Sequence, residues 1–195
     1  MEGDAGSHQE SEPSAATERP IFYFDFSSPE CWLAAEGVNH ALATVPVWQP
    51  VRVAGAGRPP KAHELDELER RAVAQGLPPP RLPEPWPQDL DLALRAATFA
   101  AASGRVVAFS LAALRQAFTA GRDLSRSDNV LISAAACELH PRAVLKGVDS
   151  RSIEERLRAA TAEAVTRGVS ELPTVVARGH LFSGSEAVDE AVRAR

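Results

Sequence analysis

The stretch IFYFDFSSPECWLAAEGV, Ile21 to Val38, changes character at its middle. Ile21–Phe26 is dense in β-branched and aromatic residues and predicts a buried strand. From about Pro29 to Leu42 the pattern is helical, with Trp32, Ala35, Val38 and Leu42 falling on one face. The switch is made by Ser27, Ser28, Pro29, Glu30 and Cys31. Serine caps helices, proline is favoured in the first turn, and Ser27 with Glu30 has capping-box spacing. A helix mouth of this kind also favours negative charge, a thiolate included, because its N–H groups lack partners and the helix dipole points there.

Working outward, the next segment, VPVWQPVRV (Val45 to Val53), alternates apolar residues with others and carries Pro46 and Pro50. Proline inside a strand predicts a sheet edge. AHELDELERRAVAQG is a helix stopped by Gly76, and LPPPRLPEPWP is a rigid connector. DLDLALRAATFAAASG, SLAALRQAFTAG and SDNVLISAAACEL follow as helical segments rich in small residues, which suits close helix packing. SRSIEERLRAATAEAVTRG predicts a long helix, with Ser152 and Glu155 at capping-box spacing and Gly168 as its stop. Thr174–Ala177 and His180–Phe182 form a hairpin across an Arg-Gly turn, and Ser185 opens a last helix.

The order is β–α–β, helices, then α–β–β–α. It predicts an α/β chain of thioredoxin-like fold with an inserted helical subdomain. Residues 20–54 and 149–195 form the thioredoxin-like part, 55–148 the insertion, and 1–19 a disordered tail without the features of a signal peptide.

Composition excludes several classes of function. The chain has 195 residues, 45% apolar, enough for one full core. Its formal charge of −5 offers no basic surface for nucleic acid, and no apolar run approaches the ~20 residues of a membrane span. Cys31 and Cys137 are too few for a disulfide framework, and no two histidines share a helical face, so no metal site is expected. A reduced, cytoplasmic setting is expected. His140, before Pro141, reads as a cap or turn residue. Cys137 and Trp32 read as core, and Cys31 as a small buried side chain.

In an α/β sheet, ligands gather where strand ends meet helix starts. The Ser27–Cys31 turn lies there, and SELPT (Ser170 to Thr174) precedes the third strand and faces it. FYFDFSSPECWLAAE resembles the opening strand and helix of 2-hydroxychromene-2-carboxylate isomerases and kappa-class glutathione transferases, a branch of the DsbA-like group. In that group the helix opens with Cys-X-X-Cys, or with serine first in the isomerase and transferase branch. Aligned by Ser-Pro, Ser28 takes the first position and Cys31 the second. The resemblance implies that Pro173 is the cis-proline beside the site, exposing the Leu172 backbone to an extended ligand. LFSGSE (Leu181 to Glu186) resembles the segment that holds the γ-glutamyl end of glutathione, which implicates Ser185 and Glu186. Glu30 stands where the branch often has an aromatic residue. Lys61 is the one counterpart of the substrate-binding asparagine and lysine, with Trp32 and Cys31 as further candidates near substrate.

The resemblance implies a thiol-dependent isomerase or transferase acting on an electrophilic aromatic or unsaturated acid. Glutathione or another low-molecular-weight thiol would be the cofactor and Ser28 the catalytic residue that holds its thiolate. A serine hydroxyl is no redox group, but one charge-assisted hydrogen bond is worth roughly 1.5–3 kcal/mol, about one to two pKa units on a thiol. The expected partner is a small-molecule substrate, with a homodimer left open and neither nucleic acid nor membrane involved. Two alternatives stand beside this: a DsbA-like disulfide oxidoreductase working through Cys31, and a non-catalytic thioredoxin-like binding domain.

Overall fold

Alternation along the first strand, β1 (Ile21–Phe24), sorts its side chains onto the two faces of a sheet. The computed structural model describes residues 19–53 and 59–194; all of the expected tail except Arg19 lies outside them. Among the described residues, the chain continues with α1 (Pro29–Ala41), β2 (Val47–Pro50), α2 (Ala62–Ala74), α3 (Asp91–Ala102), α4 (Val106–Phe118) and α5 (Ser127–Ala136). It ends with α6 (Pro141–Val148), α7 (Arg151–Thr166), β3 (Thr174–Ala177), β4 (His180–Ser183) and α8 (Ala187–Arg193). The sheet order is β2-β1-β3-β4, with β1 parallel to β2 and antiparallel to β3, and β4 antiparallel to β3. This is the thioredoxin-like arrangement that the element order predicts.

Phe22 and Phe24 point to one face, where the Trp48 ring meets both edge-on at 4.9 and 5.4 Å between centroids. Their cluster continues through Trp32 and Val38 of α1 to Ala97 of α3 and Phe109 and Phe118 of α4. The sheet and the helices after β2 therefore share one core. Tyr23 points to the other face and packs with Val51, Val176 and Ala164 of α7. Alanines on α3 and α4 are fully buried, so these helices approach closely, as their small residues predict.

β2 is an edge strand, as Pro50 and the preceding Pro46 predict. Pro50 has no N–H to give, and the ladder is continued by Val51, whose N–H donates to the Phe24 carbonyl at 3.1 Å.

One local expectation is corrected here. Ser152 and Glu155 form no capping box: α7 starts earlier, with Ser150 at the cap position, the Ser150 and Ser152 hydroxyls 2.8 Å apart, and Glu155 paired to Arg151. After Cys137 the chain forms a further helix, α6, which the sequence pattern does not single out, and the reading of His140 as a cap is borne out. His140 caps α6, its Nδ1 accepting the Arg142 N–H at 3.2 Å. Helix α6 lies so tightly on α3 that a methyl group at Gly147 would overlap the Phe99 ring.

Candidate active site

Ser28 is the cap of α1. It has extended backbone geometry (φ −139°, ψ 146°), and its Oγ accepts the Cys31 N–H at 3.2 Å. Pro29 then begins the helix, where a missing N–H costs nothing. The Ser27–Glu30 capping box does not form, because Ser27 faces the strand end instead. Its N–H and its hydroxyl both donate to Asp25 Oδ1, at 2.9 and 2.7 Å. With one lone pair of Ser28 given to Cys31, its hydroxyl hydrogen can rotate between the Cys31 sulfur and the open side.

Asp25 is the residue that the sequence reading passed over. It is 5% exposed, and its Oδ1 also accepts from the Cys31 thiol at 3.7 Å. Burial pushes its carboxyl above the ordinary range, against the opposing pull of the Ser27 N–H, the Ser27 hydroxyl and the Cys31 thiol. The signal was present as the one charge within an apolar strand-like run, Ile21 to Phe26.

Cys31 has no solvent exposure. Burial, then the charge of Asp25, pushes its thiol well above the ordinary value, and the hydrogen bonds around it only partly oppose this. Burial and the raised thiol both count against Cys31 as a lone redox nucleophile.

Opposite the Ser28 turn, the Leu172–Pro173 bond is cis. The Pro173 carbonyl accepts the Gly184 N–H at 2.9 Å. Thr174, fully buried, donates its hydroxyl to the Glu171 carbonyl at 2.6 Å and meets the Ser183 hydroxyl at 2.7 Å. These bonds tie the 170–174 loop to the end of β4. Gly184 has φ +81°, and an added Cβ would come 3.1 Å from the Glu171 carboxylate, so the turn suits glycine on both counts. Arg71 of α2 donates to the Ser185 carbonyl at 2.6 Å, fastening this turn to the helix that walls the other side.

Between these walls lies a cleft of about 500 Å³. Ser28, Leu172 and Ser185 line it, as do Ser27, Ser170 and Trp86. Pro173 is buried directly beside Leu172. Glu186 is exposed at the start of α8 and is not among the lining residues. Lys61 is exposed at the start of α2, its N–H bonded to the Glu64 carboxylate at 2.6 Å, and it too is not among them. Trp32 and Cys31 are sealed in the core, the Trp32 indole donating to Glu36 at 3.0 Å, so neither can touch a ligand in this arrangement. The acids Asp25, Glu30, Glu64 and Glu171 line the cleft, and no lysine or arginine does so among the described residues. Glu64, on α2, and Trp86, in the proline-rich connector, come from segments distant in sequence.

The family model described as a DSBA-like thioredoxin domain matches residues 21–194. None of the curated proteins matches the chain. Among solved structures, a 2-hydroxychromene-2-carboxylate isomerase superposes with a TM-score of 0.76 at 17% identity, over 91% of this chain and 94% of its own. A probable DsbA oxidoreductase from Streptomyces coelicolor gives 0.70 at 20% identity, over 90% of this chain and 87% of its own. The cytosolic disulfide reductase DsbM from Pseudomonas aeruginosa, solved with GSH, gives 0.63 at 16% identity, over 91% of this chain and 96% of its own. At these identities the similarity is one of fold.

Proposed function

Because the chain belongs to the DSBA-like thioredoxin domain family, we propose that its cleft binds a low-molecular-weight thiol, such as glutathione, with the sulfur at Ser28. The protein is then a thiol-dependent isomerase or transferase acting on an electrophilic aromatic or unsaturated acid. The observation that carries this is Ser28 itself. Its oxygen accepts the Cys31 N–H at the helix mouth and Ser28 lines the cleft, where its hydroxyl can turn from the Cys31 sulfur toward a ligand.

Ser28 would stabilise the ligand's thiolate, aided by the dipole of α1. The thiolate adds to an electrophilic carbon of the substrate. In an isomerase, the adduct rotates about the bond made single and then expels the thiol. In a transferase, the adduct takes up a proton and leaves as product. The thiol would lie along Leu172 beside Pro173, its γ-glutamyl end near Ser185 and Glu186, where the neighbouring Glu171 suits an ammonium group. Chemistry with a free thiol fits a reduced, cytoplasmic setting. The same fold in an isomerase and in a disulfide reductase solved with GSH supports the class of reaction without choosing within it. The buried, hydrogen-bonded Cys31 favours isomerase or transferase over disulfide exchange.

The test is thermal shift of the purified protein against glutathione, N-acetylcysteine and cysteamine. Stabilisation by at least one thiol and not by its S-methylated form is expected. No response to any of them would leave a non-catalytic binding domain as the better description.

A further inference from the structure

We infer that Asp25 is the proton acceptor for the thiol bound at Ser28, an inference that rests on the thiol-binding role proposed above. Making a thiolate from a bound thiol requires somewhere for the proton to go. Ser28 can donate to the sulfur but cannot keep its proton, and no histidine lines the cleft among the described residues. Asp25 lines the same cleft, three positions before Ser28 with Phe26 and Ser27 between them. Its two oxygens are unequally placed. Oδ1 is filled by the Ser27 N–H, the Ser27 hydroxyl and the Cys31 thiol. None of these bonds reaches Oδ2, and Asp25 is one of the residues lining the cleft, so Oδ2 is the oxygen we assign to the bound thiol.

Electrostatics favours sharing one proton across this pair. An ordinary aspartate and an ordinary thiol lie about four to five pK units apart. Burial raises Asp25, while Ser28 and the α1 dipole lower a thiol beside it, so the two values converge. A charged Asp25 would repel a thiolate, whereas a protonated one does not, so the two groups titrate as a pair. The groups facing this pair are Ser27 on its own turn, Cys31 and Glu30 on α1, Glu64 on α2, Glu171 before β3 and Ser185 before α8. The step balances: the thiol's S–H bond breaks, an O–H bond forms at Asp25 Oδ2, and the sulfur keeps the electron pair. When the thiol is expelled from the adduct, Asp25 returns the proton to the sulfur.

The experiment counts protons. Glutathione, N-acetylcysteine and cysteamine are titrated into the full-length protein near neutral pH. Thiolate is read by its ultraviolet absorbance, and net proton release by calorimetry in two buffers of different ionisation enthalpy. Thiolate should form in the wild type with little proton released to buffer, and Asp25→Asn should release close to one proton per thiolate formed. A wild type that releases a full proton per thiolate would show Asp25 to be a positioning residue only and overturn the inference, whether or not the variant folds. If thiol binding is absent altogether, no heat and no absorbance appear, and the inference falls with the function on which it rests.

Discussion

The Ser28 hydroxyl gives a lone pair to the Cys31 N–H and keeps its hydrogen, so substitutions at this position can separate capping from donation. Ser28→Ala should cost the ~0.5–2 kcal/mol of a lost cap, because Ser27 is committed to Asp25 and cannot replace it. Ser28→Asp keeps an acceptor for the helix and should restore most of that stability in urea denaturation. Equal stabilities for Ser28→Ala and the wild type would show that the cap contributes nothing. Cys31 should resist thiol reagents in the folded protein, which should show no dithiol-driven insulin reduction; rapid labelling of Cys31 would contradict its burial. Asp25 carries a pH signature. Its folded pKa is raised, so the folded state holds the proton after the unfolded state has lost it. Stability therefore falls as pH rises from about 4 through the raised value, then levels. Asp25→Asn should remove that fall, so its stability relative to the wild type should improve across the window. A difference independent of pH would contradict the raised value. Ser28 was legible in the sequence because caps, prolines and helix mouths follow local rules. Asp25 left only a lone charge in an apolar run as its trace, because its bonds to Ser27 and Cys31 and its place at the cleft arise from the fold of the turn.

Among the elements, α1 is joined to α4 by a polar contact at the edge of the apolar one. The Glu36 carboxylate, 9% exposed, takes the Trp32 indole N–H and both arms of Arg115, at 2.7 and 2.6 Å. Arg115→Ala would leave this nearly buried carboxylate with the indole alone. The expected loss is about 1–3 kcal/mol in urea denaturation, and an unchanged midpoint would show the pair to be energetically idle. Gly147→Ala should cost about 1–3 kcal/mol by forcing Phe99 out of its place between α3 and α6. The strands, α1 and α7 were readable because Ile21–Phe26 is dense in β-formers, Val45–Val53 alternates, and the helices are long and periodic. Helix α6 was not, being short, opened by a proline and containing a glycine. The Ser152–Glu155 spacing misled because a residue two places earlier holds the cap position, a choice made by the turn from α6 rather than by α7 itself.

Across the whole molecule, the cleft joins chain segments separated by most of the sequence. The turn after β1, the start of α2, the proline-rich connector and the loops flanking the β3–β4 hairpin all contribute. Element order and the quoted motifs placed the Ser28 turn opposite Pro173. Glu64 and Trp86 entered through packing of α2 and the connector, which no local pattern encodes. The acids gathered there favour a thiol carrying an ammonium group. Cysteamine should bind more tightly than N-acetylcysteine, with the preference shrinking as salt rises. Equal affinity would show the carboxylates to be neutralised or turned away. The most direct measurement is the pKa of the bound thiol, read by ultraviolet thiolate absorbance in wild type and in Ser28→Asp, which caps but has no hydrogen to donate. Activation by Ser28 predicts a wild-type value about one to two units below the free thiol and a loss of that depression in Ser28→Asp. The same pKa in both proteins would contradict it.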